Sequence, residues 1–263
     1  MSRSPFPALA LLGVTFVVVT APAAVAEPDS GAAYLGRWNY DFPDHSTMVN
    51  YATENIPGVP DGPQIGDIIF TSSAPGRVTG RTDVGCTWEF KSVADGLALD
   101  PPNQTCHNPT FGYSYTTTAW TVRVHGDKET ESITALSHHQ DADYTFTLQH
   151  GARTRVREDD PDAAKAFEGN WSADNAPQGN VTLARNYGDR LVARTGDGCT
   201  WTLVSRGDTA KLDPPAQTCT QGDSAVTLRF WTIADSGDHQ ISTMTGTDAK
   251  GDPIMINSEL TRH

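Results

Sequence analysis

The second half of this chain repeats the first around a pair of cysteines, and that duplication limits the fold more than any other feature. Gly85-Cys86-Thr87-Trp88 leads to Leu99-Asp100-Pro101-Pro102-Asn103-Gln104-Thr105-Cys106. At an offset of 113, Gly198-Cys199-Thr200-Trp201 leads to Leu212-Asp213-Pro214-Pro215-Ala216-Gln217-Thr218-Cys219. A match this dense at constant spacing marks two copies of one structural unit. Upstream, Pro28-Asp29, Tyr34, Gly36 and Trp38 match Pro161-Asp162, Phe167, Gly169 and Trp171 at an offset of 133. Copy 1 therefore carries about 20 extra residues between its first two tryptophans. Residues 55–63 are the expected insertion, because their proline and glycine density opposes regular strand. Trp120-Thr121-Val122 matches Trp231-Thr232-Ile233, so each copy owns three tryptophans and one cysteine pair.

The first residues read as an export signal. Arg3 supplies the positive start, Ala8 to Val19 the apolar run, and Ala24-Val25-Ala26 the small-residue cleavage site. That run is shorter than the roughly 20 residues a membrane span needs, so no span is expected after cleavage near Glu27. Export agrees with the cysteines: the pairs Cys86–Cys106 and Cys199–Cys219 read as disulfides. Zinc would want close spacings such as Cys-x-x-Cys, and none occurs. The formal charge of −13, with no basic stripe, argues against nucleic acid as a partner. It fits a soluble protein that is secreted or held in the cell envelope.

Most of the mature chain alternates as short strands. Cys86, Trp88 and Phe90 alternate with Thr87, Glu89 and Lys91, and Trp120, Val122 and Val124 with Thr121, Arg123 and His125. Copy 2 gives eight strands, near 169–173, 181–184, 190–195, 199–204, 210–219, 225–233, 240–245 and 254–260. Short Gly/Asp turns between them imply an up-and-down order, and a twisted sheet of that size removes its edges by closing. A β-sandwich is the alternative. With Asp95-Gly96 as a two-residue turn, Ala94 faces Leu97 and Cys86 faces Thr105. One bulge at Asp-Pro-Pro then brings Cys106 opposite Cys86, with Trp88, Phe90, Leu97 and Leu99 on one face. A short helix should open each copy, capped near Asp159 or Asp160 with Pro161 in its first turn in copy 2. The expected fold is all-β: a signal peptide over 1–26, then tandem antiparallel up-and-down β-barrels over 28–157 and 161–263.

Gly36-Arg37-Trp38 and Gly169-Asn170-Trp171, each after a short lead-in helix, resemble the first strand of the calycins, the superfamily of lipocalins, avidins and fatty-acid-binding proteins. The resemblance implies a basic residue of the last strand packed across that tryptophan: Arg262 on Trp171, and Arg153 or Arg155 on Trp38. It implies architecture and carries over no binding residues.

Candidate site residues are few. Trp38, Trp88, Trp120, Trp171, Trp201 and Trp231 are either core or ligand-stacking walls, since an eight-stranded barrel is just wide enough to be filled or to hold one small ligand. His138 and His139, beside Asp141 and Asp143, suggest a metal. Adjacent strand residues point to opposite faces, however, so a solvated hairpin end is the expectation. No Gly-x-Ser-x-Gly, His-Glu-x-x-His or phosphate-cradling loop is present, and neither catalysis nor a cofactor is expected. The expected function is an exported binding module for a small apolar ligand in or at the mouth of a barrel. The alternative is a protein-directed module, resembling in architecture the alkaline-metalloprotease inhibitors, with residues 55–63 as the contact loop.

Overall fold

A computed structural model describes residues 31–58, 60–108, 113–139, 142–160, 162–173 and 179–263. The export signal, Pro28, Pro161 and the side chain of His139 lie outside the described residues. The first copy contains β1 (Gly36–Tyr40), β2 (Tyr51–Glu54), β3 (Gly62–Pro63), β4 (Asp67–Ala74), β5 (Arg77–Thr82), β6 (Thr87–Val93), β7 (Gly96–Leu99), β8 (Gln104–Asn108), β9 (Tyr113–His125), β10 (Lys128–His139) and β11 (Ala142–Arg155). The second contains β12 (Gly169–Ala173), β13 (Val181–Arg185), β14 (Arg190–Thr195), β15 (Thr200–Arg206), β16 (Thr209–Leu212), β17 (Gln217–Gln221), β18 (Ser224–Asp235), β19 (His239–Thr247) and β20 (Pro253–Arg262). One turn of 3-10 helix (Ala32–Tyr34) precedes the first, and helix α1 (Ala163–Phe167) precedes the second.

Eight strands of each copy pair antiparallel in chain order and close. Barrel 1 runs β1-β4-β5-β6-β7-β9-β10-β11 and returns to β1 at Trp38↔Arg155. Barrel 2 runs β12-β13-β14-β15-β16-β18-β19-β20 and returns to β12 at Trp171↔Arg262. Closure joins the first and last strands of each wall, and the inward residues of each fill one apolar core.

The Gly-x-Trp segments fasten the closed ends. The Trp38 indole N–H donates to Tyr34 O at 2.7 Å, and the Arg155 guanidinium lies 4.1 Å from the Trp38 ring centre. Trp171 donates to Phe167 O at 3.0 Å, with Arg262 at 4.3 Å over its ring. Each arginine also donates to carbonyls of its lead-in helix, Arg155 to Leu35 and Ala33, Arg262 to Ala166 and Glu168. A Cβ at Gly169 would stand 2.9 Å from Arg262 Nη1, so the glycine makes room for the crossing arginine.

The cysteine hairpin differs in register from the expectation. Val93 pairs with Gly96 and Phe90 with Leu99, so the turn is Ala94-Asp95 and the slip is two places. An even slip keeps every side chain on its face, and Trp88, Phe90, Leu97 and Leu99 all point inward as expected. The compensation is also larger than one bulge: β7 and β8 are two pieces of one strand, both paired to β9, and β16 and β17 repeat this along β18. Asp-Pro-Pro-x fills the break, with a cis bond at Asp100–Pro101 and at Asp213–Pro214. The following glutamine repairs the ladder. Gln104 Oε1 accepts from Glu89 N at 2.8 Å and Nε2 donates to Glu89 O and Pro101 O, both at 2.8 Å. Gln217 makes the same three bonds to Thr202 N, Thr202 O and Pro214 O at 2.9, 2.7 and 2.9 Å. The amide thus takes the place of a missing peptide group. Asp100 and Asp213 pair with Arg77 and Arg190 at 2.7 and 2.6 Å. Both disulfides form, across Cα–Cα distances of 5.8 and 5.7 Å.

One position in the repeated phrase is suboptimal. Asn103 and its equivalent Ala216 both adopt left-handed backbone, at φ 60° and 65°. Asparagine tolerates this region better than alanine. Ala216→Asn should therefore raise the stability of barrel 2 by about 0.5–1 kcal/mol, read from denaturant midpoints, with Asn103→Ala as the inverse change in barrel 1.

The copy 1 insertion corrects the expectation about residues 55–63. The extra chain between Tyr40 and Asp67 forms strands β2 and β3, a hairpin in which Tyr51 pairs with Pro63, and β2 pairs with β11 beyond the end of β1. Proline and glycine restrict Gly62–Pro63 to two residues at the end of the sheet, where one missing N–H is tolerated.

Candidate functional site

All six tryptophans lie in the two cores. Trp88, Trp120 and Phe90 pack edge to face, with ring centres 6.0 Å apart for Trp88–Trp120 and 5.2 Å for Phe90–Trp120. Trp201 and Trp231 sit among Leu203, Leu212, Ile233 and Met244. Their indole rings touch protein side chains on the inward face, as core residues do. His138 Nδ1 donates to Asp143 Oδ1 at 2.6 Å, and its Nε2 hydrogen-bonds the Thr116 hydroxyl at 3.1 Å, on the exposed hairpin. Among the described residues no group of three or more ligating side chains could hold a metal ion.

The barrels differ sharply one layer above the Trp–Arg end. In barrel 1 the Arg153 guanidinium points inward, with Nη1 2.6 Å from Glu129 Oε1 and 2.8 Å from Glu131 Oε2. Its Nη2 donates to Tyr40 OH at 2.7 Å, and that hydroxyl donates to Glu131 Oε1 at 2.6 Å. The Trp120 indole N–H completes the set at 2.7 Å from Glu131 Oε2. The side chains of Arg153 and both glutamates are at most 1% exposed. Gly151 lies directly opposite Glu131, and a Cβ there would fall 2.3 Å from Glu131 Cγ.

Barrel 2 answers each of these residues with a neutral one. Counting from the shared tryptophans and the closing arginine, Tyr40, Glu129, Glu131, Gly151 and Arg153 correspond to Ala173, Gln240, Ser242, Ser258 and Leu260. Trp231 donates to Ser242 at 2.8 Å, as Trp120 does to Glu131. One arginine facing two buried carboxylates leaves an excess negative charge in the barrel interior. Burial accordingly pushes Glu129 up to about 7, with Glu131 adding to the shift and Arg153 opposing it. Burial likewise raises Tyr40 well above the usual phenol range. Glu129 Oε2 and Arg153 Nε find no hydrogen-bond partner among the described residues.

A second region joins the barrels. Asp67, at the start of β4, is bound by Lys211 Nζ of barrel 2 at 2.8 and 3.0 Å and by Arg37 of its own barrel. Asp83 accepts from the Thr232 hydroxyl at 3.3 Å. Asn39 donates to Arg206 O at 2.6 Å and to Asp208 Oδ1 at 2.7 Å. Beside this contact lies a cleft of about 540 Å³. Phe42, Pro43 and Tyr51 of the inserted segment form one wall, and His239, Asn257 and Glu259 of β19–β20 belong to the other. His45 stacks on Tyr51 with ring centres 5.0 Å apart. A smaller hollow of about 210 Å³ lies outside the β6–β7 turn, between Val93–Leu97 and Thr121–Arg123.

Sequence reasoning found the tryptophans and the disulfides and missed both charged groups. The signal for the first was present: Glu129 and Glu131 share strand parity with inward Ile133 and Ala135. No helix among the described residues is long and apolar enough to cross a membrane.

No protein-family profile and no curated protein matches the chain. Several solved structures resemble it, among them two that cover most of its length. One is a protein of unknown function of the DUF3598 family from Nostoc punctiforme, 12% identical, with a TM-score of 0.27 over 88% of this chain and 97% of that one. The other is described as a "putative outer membrane protein" from Bacteroides fragilis, 9% identical, with a TM-score of 0.29 over 89% of this chain and 100% of that one. At these scores the two likenesses carry no argument about activity.

Proposed function

We propose that this chain is an exported, non-catalytic binding module of calycin-like build, whose ligand sits in the cleft between the barrels and not inside either one. The apolar N-terminal run and the two disulfides support export. Arg155 and Arg262 laid over the first-strand tryptophans support the calycin-like reading. The observation that carries the location is the insertion itself. Copy 1 alone has β2–β3, and the cleft is walled by the segment leading into that hairpin. A ligand inside barrel 1, by contrast, would have to displace packed Trp88, Phe90 and Trp120. Aromatic side chains at Phe42 and Tyr51 across the cleft from His239, Asn257 and Glu259 suit a small amphipathic molecule, a more polar ligand than the sequence suggests.

Native mass spectrometry of protein purified from its own host should show a retained small molecule, and Tyr51→Ala with Glu259→Gln should release it. A ligand that survives both substitutions, or whose contacts map to Trp88 and Trp120, places the site inside the barrel and sinks the cleft reading. A protein-directed role is the second reading, favoured because β3 ends the sheet as an accessible edge. Partner capture unchanged by deletion of residues 55–63 would remove it.

A further inference from the structure

We infer that docking of the two barrels is linked to proton uptake at the Asp67–Asp83 carboxylate pair, so that the barrels separate more readily as the surroundings become alkaline. The argument begins with the copies. Asp67 and Asp83 belong to barrel 1, and the matching positions in barrel 2 are Asn180 and Gly196. On the docking face of barrel 2, Lys211 occupies the position of Ala98 in barrel 1. These three charged groups at the contact are thus ones the duplicated units do not share, as a surface specialised for joining two different barrels requires.

The cations at the contact are unevenly shared. Asp83 faces Asp67 on β4, Lys211 on β16 and the neutral Thr232 on β18. Lys211 places its ammonium within 3.0 Å of both Asp67 oxygens. Arg37 is held by Asp67 and by Glu158 at 2.9 Å. Asp83 is left with one hydroxyl and a backbone N–H, next to a second carboxylate. Both cations are thus engaged by Asp67, and a half-buried carboxylate beside it with no cation bonded to it favours its neutral acid. Enclosure and Asp67 together raise Asp83 to about 7, against the pull of Lys211.

Separating the barrels returns Asp83 to water, where it ionises in the ordinary carboxylate range. The docked form therefore holds a proton that the separated form releases. Docking is fully favoured in acid and weakens as pH rises through 7. One such group lowers the docking constant roughly tenfold between pH 6 and 8.5. This inference does not depend on the cleft being a binding site. If it is one, the same proton regulates how long the cleft stays formed.

Two measurements on the full chain test it. The Asp83 carboxyl carbon should titrate with a midpoint near 7 by NMR. Interface amides that exchange only when the barrels separate should also show roughly tenfold more frequent opening at pH 8.5 than at pH 6, after correction for intrinsic exchange. Asp83→Asn should abolish that pH dependence while both barrels keep their far-ultraviolet spectra. Thr232→Val, which removes the hydroxyl but no charge, should shift the opening at both pH values and keep the dependence. A midpoint below 5, or opening equally pH-dependent in wild type and Asp83→Asn, overturns the inference.

Discussion

Arg153→Leu should destabilise barrel 1 by about 3–5 kcal/mol, although the same leucine, Leu260, fills the equivalent site in barrel 2 without difficulty. The loss comes from what is left behind. Glu129 and Glu131 would remain buried with no cation, and Tyr40 would lose the guanidinium that donates to its hydroxyl. The counter-experiment transplants the whole neutral set: Tyr40→Ala, Glu129→Gln, Glu131→Ser, Gly151→Ser and Arg153→Leu together. Removing a buried charged network outright is often neutral or stabilising, because the desolvation of every ion disappears with it. Gly151→Ser belongs in the set because the serine fills space that Glu131 occupies in barrel 1. Calorimetry should show the barrel 1 transition well below its wild-type temperature in Arg153→Leu and restored in the fivefold variant. A single substitution costing under 1 kcal/mol would contradict the account.

The same network sets a pH dependence of known sign. Glu129 is raised to about 7 by burial, above its value in the unfolded chain. The folded barrel then holds a proton that the unfolded chain has released, so this contribution is complete in acid and is lost as pH rises from about 4.5 through 7. Glu129→Gln should flatten the stability profile of barrel 1 over that interval, with barrel 2, which carries Gln240 there, as the internal control. A profile as steep in Glu129→Gln as in wild type would reject the assignment.

Much of the fold was readable because its determinants are local or repeated. Period-two alternation located the strands, and a fixed offset aligned the copies. The change of offset from 133 to 113 marks the insertion in the sequence itself. Arg262 over Trp171 was expected through the calycin resemblance of Gly169-Asn170-Trp171, not from the alternation, and the contact is present. Register failed by two places because Asp95-Gly96 and Ala94-Asp95 are both plausible turns, and alternation does not distinguish slips by an even number. The β2–β3 hairpin was hidden by its prolines, which shorten a strand at a sheet edge without preventing it. The ionic cluster was missed for a different reason. Its members are far apart in the chain and match no motif, although aligning the copies exposes four of them as charged or phenolic residues opposite neutral ones. The contact between barrels was the least legible part. Lys211 and Thr232 occupy outward strand positions that, read alone, describe an ordinary solvated face.

Removing either disulfide should cost its barrel about 3 kcal/mol, by the loop-closure cost for cysteines 20 residues apart. Equal loop lengths predict equal losses, so Cys86→Ala with Cys106→Ala and Cys199→Ala with Cys219→Ala form a matched pair of experiments. The structure adds where the loss should appear. β8 and β17 each pair with a single neighbour, β9 or β18, because the wall strand is broken at Asp-Pro-Pro. Their other side is tied back by the disulfide at Cys106 or Cys219, and their first residue by the glutamine amide at Gln104 or Gln217. Without the disulfide the glutamine still anchors one end, so the barrel should remain closed while the far half of the strand frays. Hydrogen exchange should therefore accelerate over Thr105–Asn108 or Thr218–Gln221 well before the rest of that barrel responds. Adding Gln104→Ala to the first disulfide variant, or Gln217→Ala to the second, should extend the fraying to the whole segment and lower stability by about a further 1–3 kcal/mol, because Glu89 and Thr202 lose their backbone partners. Uniform acceleration across the barrel, with no lead at β8 or β17, would show that the staple acts on the whole unit and not on the broken strand.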